Sequence, residues 1–471
     1  MQTCVERPLK VTLFLYAFFH FTTTFFPNDL LLLFMAISGI AFFIFTSIHL
    51  SISKCKLPFT IFIISFIVMV SAKMNILETL QNGAIEMRHI IGLLIVVPLI
   101  SYVLQEEPYI EDVMGLFYRF INTGKKFYFT LLLFTQIIAY FLLFGSITMM
   151  YQFVQIVLHE KTSENWEYFK GTALLRAFGL STLWVVSIPS FVYAVETLNA
   201  SLWLSIFQGF IFAICGSFLA MVFMSIRMKR AKMDITTELQ LELQRLLKTA
   251  ESHDVQVKKT IEFSLLFVSL FGTIFLLHGL FHFQLMVLIP LVIIGWMFFF
   301  YVWKGKLRKF FAVIKDYASN KVVGQSYQLS LMISVGVLIN ALHGTNFSTM
   351  FMKGLHAIQA TFPFINFLYI LPFIVILLGF CGLGPLTVMV LVAGILQSMP
   401  LPYPPELMVL AITSGSAISI FISPIVMPVI VLSASNGLGM LTNGIKFNWK
   451  FALSFYVMIQ LYIQVMYQFV Y

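Results

Sequence analysis

Small polar residues and glycines recur at matched positions in the two halves of the chain, inside segments that are otherwise apolar. One copy reads Gly145-Ser146-Ile147-Thr148, and its echo reads Gly382-Leu383-Gly384-Pro385-Leu386-Thr387. A second pair follows at nearly the same offset. Gly179-Leu180-Ser181-Thr182, with Ser187 and Pro189 beyond it, is echoed by Thr413-Ser414-Gly415-Ser416, with Ser419 and Ser423-Pro424 beyond it. Glycine and proline within a span weaken the helix and free backbone groups. Freed carbonyls and hydroxyls suit Na⁺, while the N-terminus of a half-helix offers unpaired N–H groups and the positive dipole end to an anion. Small residues of this kind also let helices pack closely, and that reading stays open for any single serine. Taken jointly, the candidate substrate and ion ligands are Gly145, Ser146, Thr148, Gly179, Ser181, Thr182, Gly382, Gly384, Thr387, Thr413, Ser414, Gly415, Ser416 and Ser419.

The elements that must carry these residues are membrane helices. The chain is 60% hydrophobic and 10% charged, against about 25% charged in soluble domains. Its apolar runs are continuous rather than alternating, which excludes a β-barrel and predicts an all-α polytopic membrane protein. About fifteen apolar segments are visible, the first near 11–26 and the last near 449–471. The net charge of +9 reads as loop charge on a membrane protein, with no nucleic-acid partner. Cys4, Cys55, Cys215 and Cys381 are scattered and form no metal or disulfide pattern. HExxH, GxSxG and P-loop signatures are absent from the sequence, so neither catalysis nor a cofactor is expected.

Basic residues set the topology. With the N-terminus in the cytoplasm, the Lys and Arg residues fall at cytoplasmic loops and helix ends, apart from Lys73, Arg88 and Lys353. The expected location is the cell inner (plasma) membrane, multi-pass. Seven apolar segments run from 28 to 226 and seven more from 263 to 471. An odd number makes the two copies enter from opposite faces, an inverted repeat. The predicted organisation is a leader span over 1–27, a first repeat over 28–226, a cytoplasmic linker helix over 227–262 and a second repeat over 263–471. Asp234 would cap that linker helix, with Leu239, Leu243 and Leu246 on one face.

Within each copy an amphipathic stretch precedes a pair of apolar segments. Ile110, Val113, Met114 and Phe117 mark the first stretch, and Phe351, Leu355, Ile358 and Phe362 the second; both read as interfacial helices. The paired segments 127–144/145–158 and 363–381/383–400 have no polar loop between them. They are expected to be re-entrant hairpins, giving about eleven spans plus two hairpins. Arg176 is expected to snorkel to the cytoplasmic edge, Glu196 to lie near the outer edge, and His278, His282 and His343 to lie at span ends.

This order of span, interfacial helix, hairpin, broken span and closing span, repeated inverted, resembles the ion transporter superfamily. That group includes divalent anion/sodium symporters, gluconate-type and arsenite permeases, and the large membrane subunit of tripartite periplasmic transporters. The resemblance covers residues 28–471 by element order and the hairpin tips and broken spans by residue type. Sodium/dicarboxylate members carry Ser-Asn-Thr at each tip; this chain has no Asn at either. The resemblance implies an elevator mechanism and a homodimer. The function expected is secondary transport of a small organic anion coupled to Na⁺ or H⁺, in contact with membrane lipid. The alternatives are a membrane-embedded polysaccharide or lipid-linked transferase, and a membrane scaffold using the 227–260 stretch.

Overall fold

Polar caps and prolines mark where the apolar runs become separate helices. Asn28, Asn75, Thr123 and Asn366 each accept a backbone N–H of the following first turn, while Pro189, Pro385 and Pro405 open helices where a missing N–H costs nothing. The computed structural model describes residues 2–51, 54–118, 121–158, 161–232, 235–237, 239–240, 253–362 and 366–469. Among these residues every regular element is helical.

The first half contains α1 (Gln2–Phe25), α2 (Asp29–His49), α3 (Lys56–Ser71), α4 (Ile76–Glu86), α5 (Arg88–Val96), α6 (Ile100–Leu104), α7 (Tyr109–Tyr118), α8 (Gly124–Leu142), α9 (Gly145–Val157), α10 (Glu164–Ser181), α11 (Pro189–Thr197) and α12 (Leu202–Arg230). The second contains α13 (His253–Phe281), α14 (Leu285–Trp303), α15 (Leu307–Asp316), α16 (Ser326–His343), α17 (Phe347–Thr361), α18 (Phe367–Phe380), α19 (Pro385–Leu396), α20 (Pro405–Ile422), α21 (Met427–Asn436) and α22 (Phe447–Phe469). Eight stretches among the described residues are long and apolar enough to cross a membrane. Their outward faces remain apolar: Leu30, Phe34, Ile37 and Ile44 on α2, and Trp449, Leu453, Val457 and Leu461 on α22, are exposed at helical spacing. Apolar stripes of this extent belong against lipid. The protein is therefore an all-helical, polytopic membrane protein.

Two packing groups position the site. α1 to α6 gather with α14 and α16, while α8 to α12 gather with α18 to α22. α9 folds back on α8, and α19 on α18, so each forms a helical hairpin. The stretch Ile110, Val113 and Met114 does not face solvent or lipid; α7 buries it, packing on α13, where Tyr109 Oη donates to Glu262 Oε1 at 2.6 Å. On α17 Leu355 is buried, while Ile358 and Phe362 of the same stripe stay exposed. Of the expected linker helix, Leu239 is buried; Asp234, Leu243 and Leu246 lie outside the described residues.

Beyond α6, Glu106 accepts from Tyr301 Oη at 2.9 Å, from Lys309 Nζ at 2.8 Å and from Lys306 Nζ at 3.3 Å. Burial works to raise the Glu106 pKa, but the bonds from Lys309, Tyr301 and Lys306 outweigh it and hold the carboxyl below its usual range. Glu107 is held low chiefly by Lys259, 2.6 Å away. A carboxyl depressed in the fold stabilises it above the unfolded pKa, and that stability goes as pH falls through the folded value. Thermal unfolding midpoints should therefore drop on acidification below about pH 5. Glu106→Gln should lower the midpoint at neutral pH and flatten the acid limb; an unchanged limb would remove Glu106 from this account.

Candidate functional site

The hairpin tips and the helix breaks meet in space. The first break separates α10 from α11 at residues 182–188, and the second separates α20 from α21 at 423–426. The first hairpin turns at Leu143-Phe144, with Leu143 at φ +47°, and the second at Cys381-Gly382-Leu383-Gly384, with Gly382 at φ +93°. Glycine adopts the latter conformation without a Cβ clash. α11 packs on α19, and α21 packs on α9, so each break lies against the opposite hairpin.

Two adjoining cavities open there. The first, about 230 Å³, is lined by Gly145, Thr182, Pro189, Ser190, Gln325 and Pro385 among others. The second, about 380 Å³, is lined by Gly382, Gly384, Thr387, Gln328, Ile425 and Met427 among others. Phe144, Gln328, Pro385 and Leu386 belong to both walls. Neither wall contains a charged side chain. The first turns of α9, α11, α19 and α21 contribute, at Gly145, Ser190, Pro385 and Met427, while Gln328 comes from inside the unbroken helical stretch Leu307–His343. Helix first turns present unpaired N–H groups and partial positive charge. A small anion suits such walls, because its charge can be met without a cationic side chain.

The two breaks are held in the same way. Ser187 Oγ donates to the Tyr140 carbonyl of α8 at 2.6 Å, and Ser423 Oγ donates to the Gly379 carbonyl of α18 at 3.2 Å. These serines, and these carbonyls, are separated along the chain by the offsets that separate the two sequence echoes. Each clasp ties a helix break to the first limb of its own hairpin.

Of the candidate residues, Gly145, Thr182, Gly382, Gly384 and Thr387 line the cavities. Ser146 lies beside Gly145 but is buried, its hydroxyl donating to the Leu143 carbonyl at 2.7 Å; Thr148 is half-buried one turn into α9. The others line neither cavity. Ser181, Thr413 and Ser414 donate back to carbonyls three residues earlier, at 2.6, 3.1 and 2.9 Å, as Thr182 of the cavity wall does at 2.7 Å. Gly179 lets α10 meet Phe421 of α20: a Cβ there would lie 2.2 Å from the Phe421 ring. Gly415 does the same against Pro372 and Val375 of α18. The expectation that Gly415 opens its span is not met, for α20 runs unbroken from Pro405 to Ile422 and the break comes at Ser423-Pro424. Ser416 and Ser419 are fully buried with hydroxyls that have no hydrogen-bond partner among the described residues, and Ser419 Oγ lies against Gly379.

Arg176 departs most from expectation. It does not reach the interface but is fully buried. Its Nε donates to Asn448 Oδ1 at 2.8 Å, one terminal nitrogen to Tyr128 Oη at 3.3 Å and the Ala220 carbonyl at 3.4 Å, and the other to Tyr168 Oη and the Phe447 carbonyl, both at 3.2 Å. Those bonds use the full guanidinium fork. Asn448 is held in turn by donating to the Asn443 carbonyl at 2.7 Å. On the same helix, Glu167 and Lys170 form a buried ion pair, with Tyr151 Oη donating to Glu167 at 2.9 Å. Glu196 accepts the Leu285 N–H and so caps α14, and His278 Nδ1 lies 2.8 Å from the Phe283 carbonyl, closing the turn between α13 and α14. His343 Nε2 lies 3.1 Å from the Gly394 carbonyl.

Gln325 and Gln328 were not singled out by sequence; two glutamines beside Gly324 at the head of an apolar segment are the signal that could have found them. No protein-family model matches this chain, and comparison with curated proteins finds no match.

Proposed function

We propose that the protein is a secondary transporter of a small organic anion, coupled to Na⁺ or H⁺, built as an inverted repeat and working as an elevator-type homodimer. The observation that carries this reading is the pair of adjoining cavities where both hairpin tips and both helix breaks converge, walled by helix first turns and free of charged side chains. Repeat inversion is supported by the crossed packing of α11 on α19 and α21 on α9 and by the paired serine clasps. Re-entry is supported by length. α9 has 13 residues and α19 has 12, or roughly 20 Å of helix against a hydrocarbon core of about 30 Å. α2 to α6 and α13 to α16 would form the static scaffold, and the hairpins with the broken spans the moving unit. The N-terminus would lie in the cytoplasm, with the chain in the inner (plasma) membrane.

Purified protein in liposomes tests this. Radiolabelled mono- and dicarboxylates should accumulate under an imposed inward Na⁺ or H⁺ gradient and not in protein-free vesicles. Failure of every anion with both gradients, using protein that remains monodisperse, would remove the proposal.

A further inference from the structure

At the end of the molecule where α10 begins, α12 ends and α22 begins, there is a cavity of about 640 Å³ whose chemistry is unlike that of the central pair. Arg227, Arg230, Lys446 and Lys450 line it, together with Tyr168 and Trp449. Glu164 is the one carboxylate paired with these cations among the described residues, 2.9 Å from Lys446 and 3.5 Å from Arg227. Arg230 and Lys450 are exposed and have no carboxylate partner among the described residues. The positive charge is deeper than the rim, because Tyr168 and Phe447 of the wall also hold the buried Arg176 guanidinium. Arg176 too lacks a carboxylate among the described residues.

A second observation says what shape of anion fits. Two exposed apolar stripes start at wall residues and run down the spans. One is Ile226, Val222 and Phe218 on α12; the other is Trp449, Leu453, Val457 and Leu461 on α22. Each steps by four residues, one helical face, and α12 packs on α22. A soluble phosphate would use the cations and leave both stripes idle. A phospholipid uses both, with its phosphate among the basic side chains and its acyl chains along the stripes. Trp449 then sits at headgroup depth, where indole rings are favoured.

We infer that this cavity is a site for an anionic phospholipid, phosphatidylglycerol in type, held by Arg230 and Lys450 with Arg227 and Lys446. The probe is phosphatidylglycerol carrying brominated acyl chains, compared with brominated phosphatidylcholine, in mixed micelles with the full-length protein. The Trp449 signal is isolated by subtracting the Trp449→Phe variant. Quenching of Trp449 should favour phosphatidylglycerol by about tenfold in relative affinity, as expected for two or more exposed basic groups near a lipid phosphate. Arg230→Gln/Lys450→Gln should erase that preference while keeping the wild-type elution profile, and Arg230→Lys/Lys450→Arg should retain it. Equal quenching by the two lipids, or a preference that survives the glutamine pair, would overturn the assignment. So would loss of the preference in excess inorganic phosphate, which would make this a small-phosphate site, or shielding of Trp449 from both lipids that grows with protein concentration, which would make it a contact between copies.

Discussion

Arg176→Met should lower the thermal unfolding midpoint by about 3 °C, a large shift for one substitution in a chain of 471 residues. Methionine fills the stem but supplies none of the five donors, so Asn448, Tyr128, Tyr168 and the carbonyls of Ala220 and Phe447 each lose one bond from a charged group. A buried acceptor left unmade costs about 1–3 kcal/mol. The tyrosine hydroxyls can rotate to new partners, and Tyr128 already lies 3.0 Å from Thr172 Oγ1. The carbonyls of Ala220 and Phe447 lie within α12 and α22 and keep their helical donors, so the Asn448 oxygen is the acceptor left unmade. A net loss of about 3 kcal/mol is therefore expected, against the 5–15 kcal/mol typical of a native domain. Arg176→Lys should recover part of it, since an ammonium brings three donors to the same volume. Midpoints followed by size-exclusion of heated, detergent-solubilised protein would check this. A methionine variant as heat-stable as wild type would show that the network contributes nothing net.

Gly145→Trp should stop transport without unfolding the protein. A Cβ at Gly145 meets only Leu142 Cβ, at 3.6 Å, an ordinary contact, so the backbone can carry a side chain there. That side chain enters a cavity of only about 230 Å³ at the first hairpin tip. An indole leaves no room for a ligand, and gradient-driven anion uptake should fall roughly a hundredfold, since such sites work by enclosing most of the ligand surface. Gly384→Ala is the matched control. Gly384 has φ −58° and ψ 157°, which alanine adopts, and a Cβ there finds open space. Uptake by that variant should stay within about twofold of wild type, because a methyl group displaces little of the cavity. Full uptake by Gly145→Trp would move the substrate path elsewhere.

The sequence carried the helix boundaries because local chemistry sets them: caps at Asn28, Thr123 and Asn366, and prolines at 189, 385 and 424. It also carried the hairpin tips, since Gly145, Gly382 and Gly384 reach the cavities. It misled at Gly415 and Gly179. A mid-helix glycine costs about 1 kcal/mol by propensity, yet here it admits Val375 and Phe421 at distances no Cβ would permit, and packing decides. Arg176 was illegible for a different reason. Its acceptors come from residues 128, 168, 220, 447 and 448, so no short window reveals that a cation can be satisfied there. The contribution of Gln325 and Gln328 was hidden likewise, because only the packing of the scaffold brings α16 to the hairpin tips.

The uncharged walls of the central cavities bear on how such a protein can change over generations. Every residue except proline brings the same main-chain amide, so recognition that relies on peptide dipoles is written in no particular codon. Under the proposed function, replacements at Phe144 or Leu386 would reshape the space while leaving the proposed preference for negative charge intact. Size selectivity can then drift by single substitutions, and charge selectivity persists for as long as the helices keep their starting points. A lineage built this way can lose nearly all resemblance in its letters and still recognise the same charge.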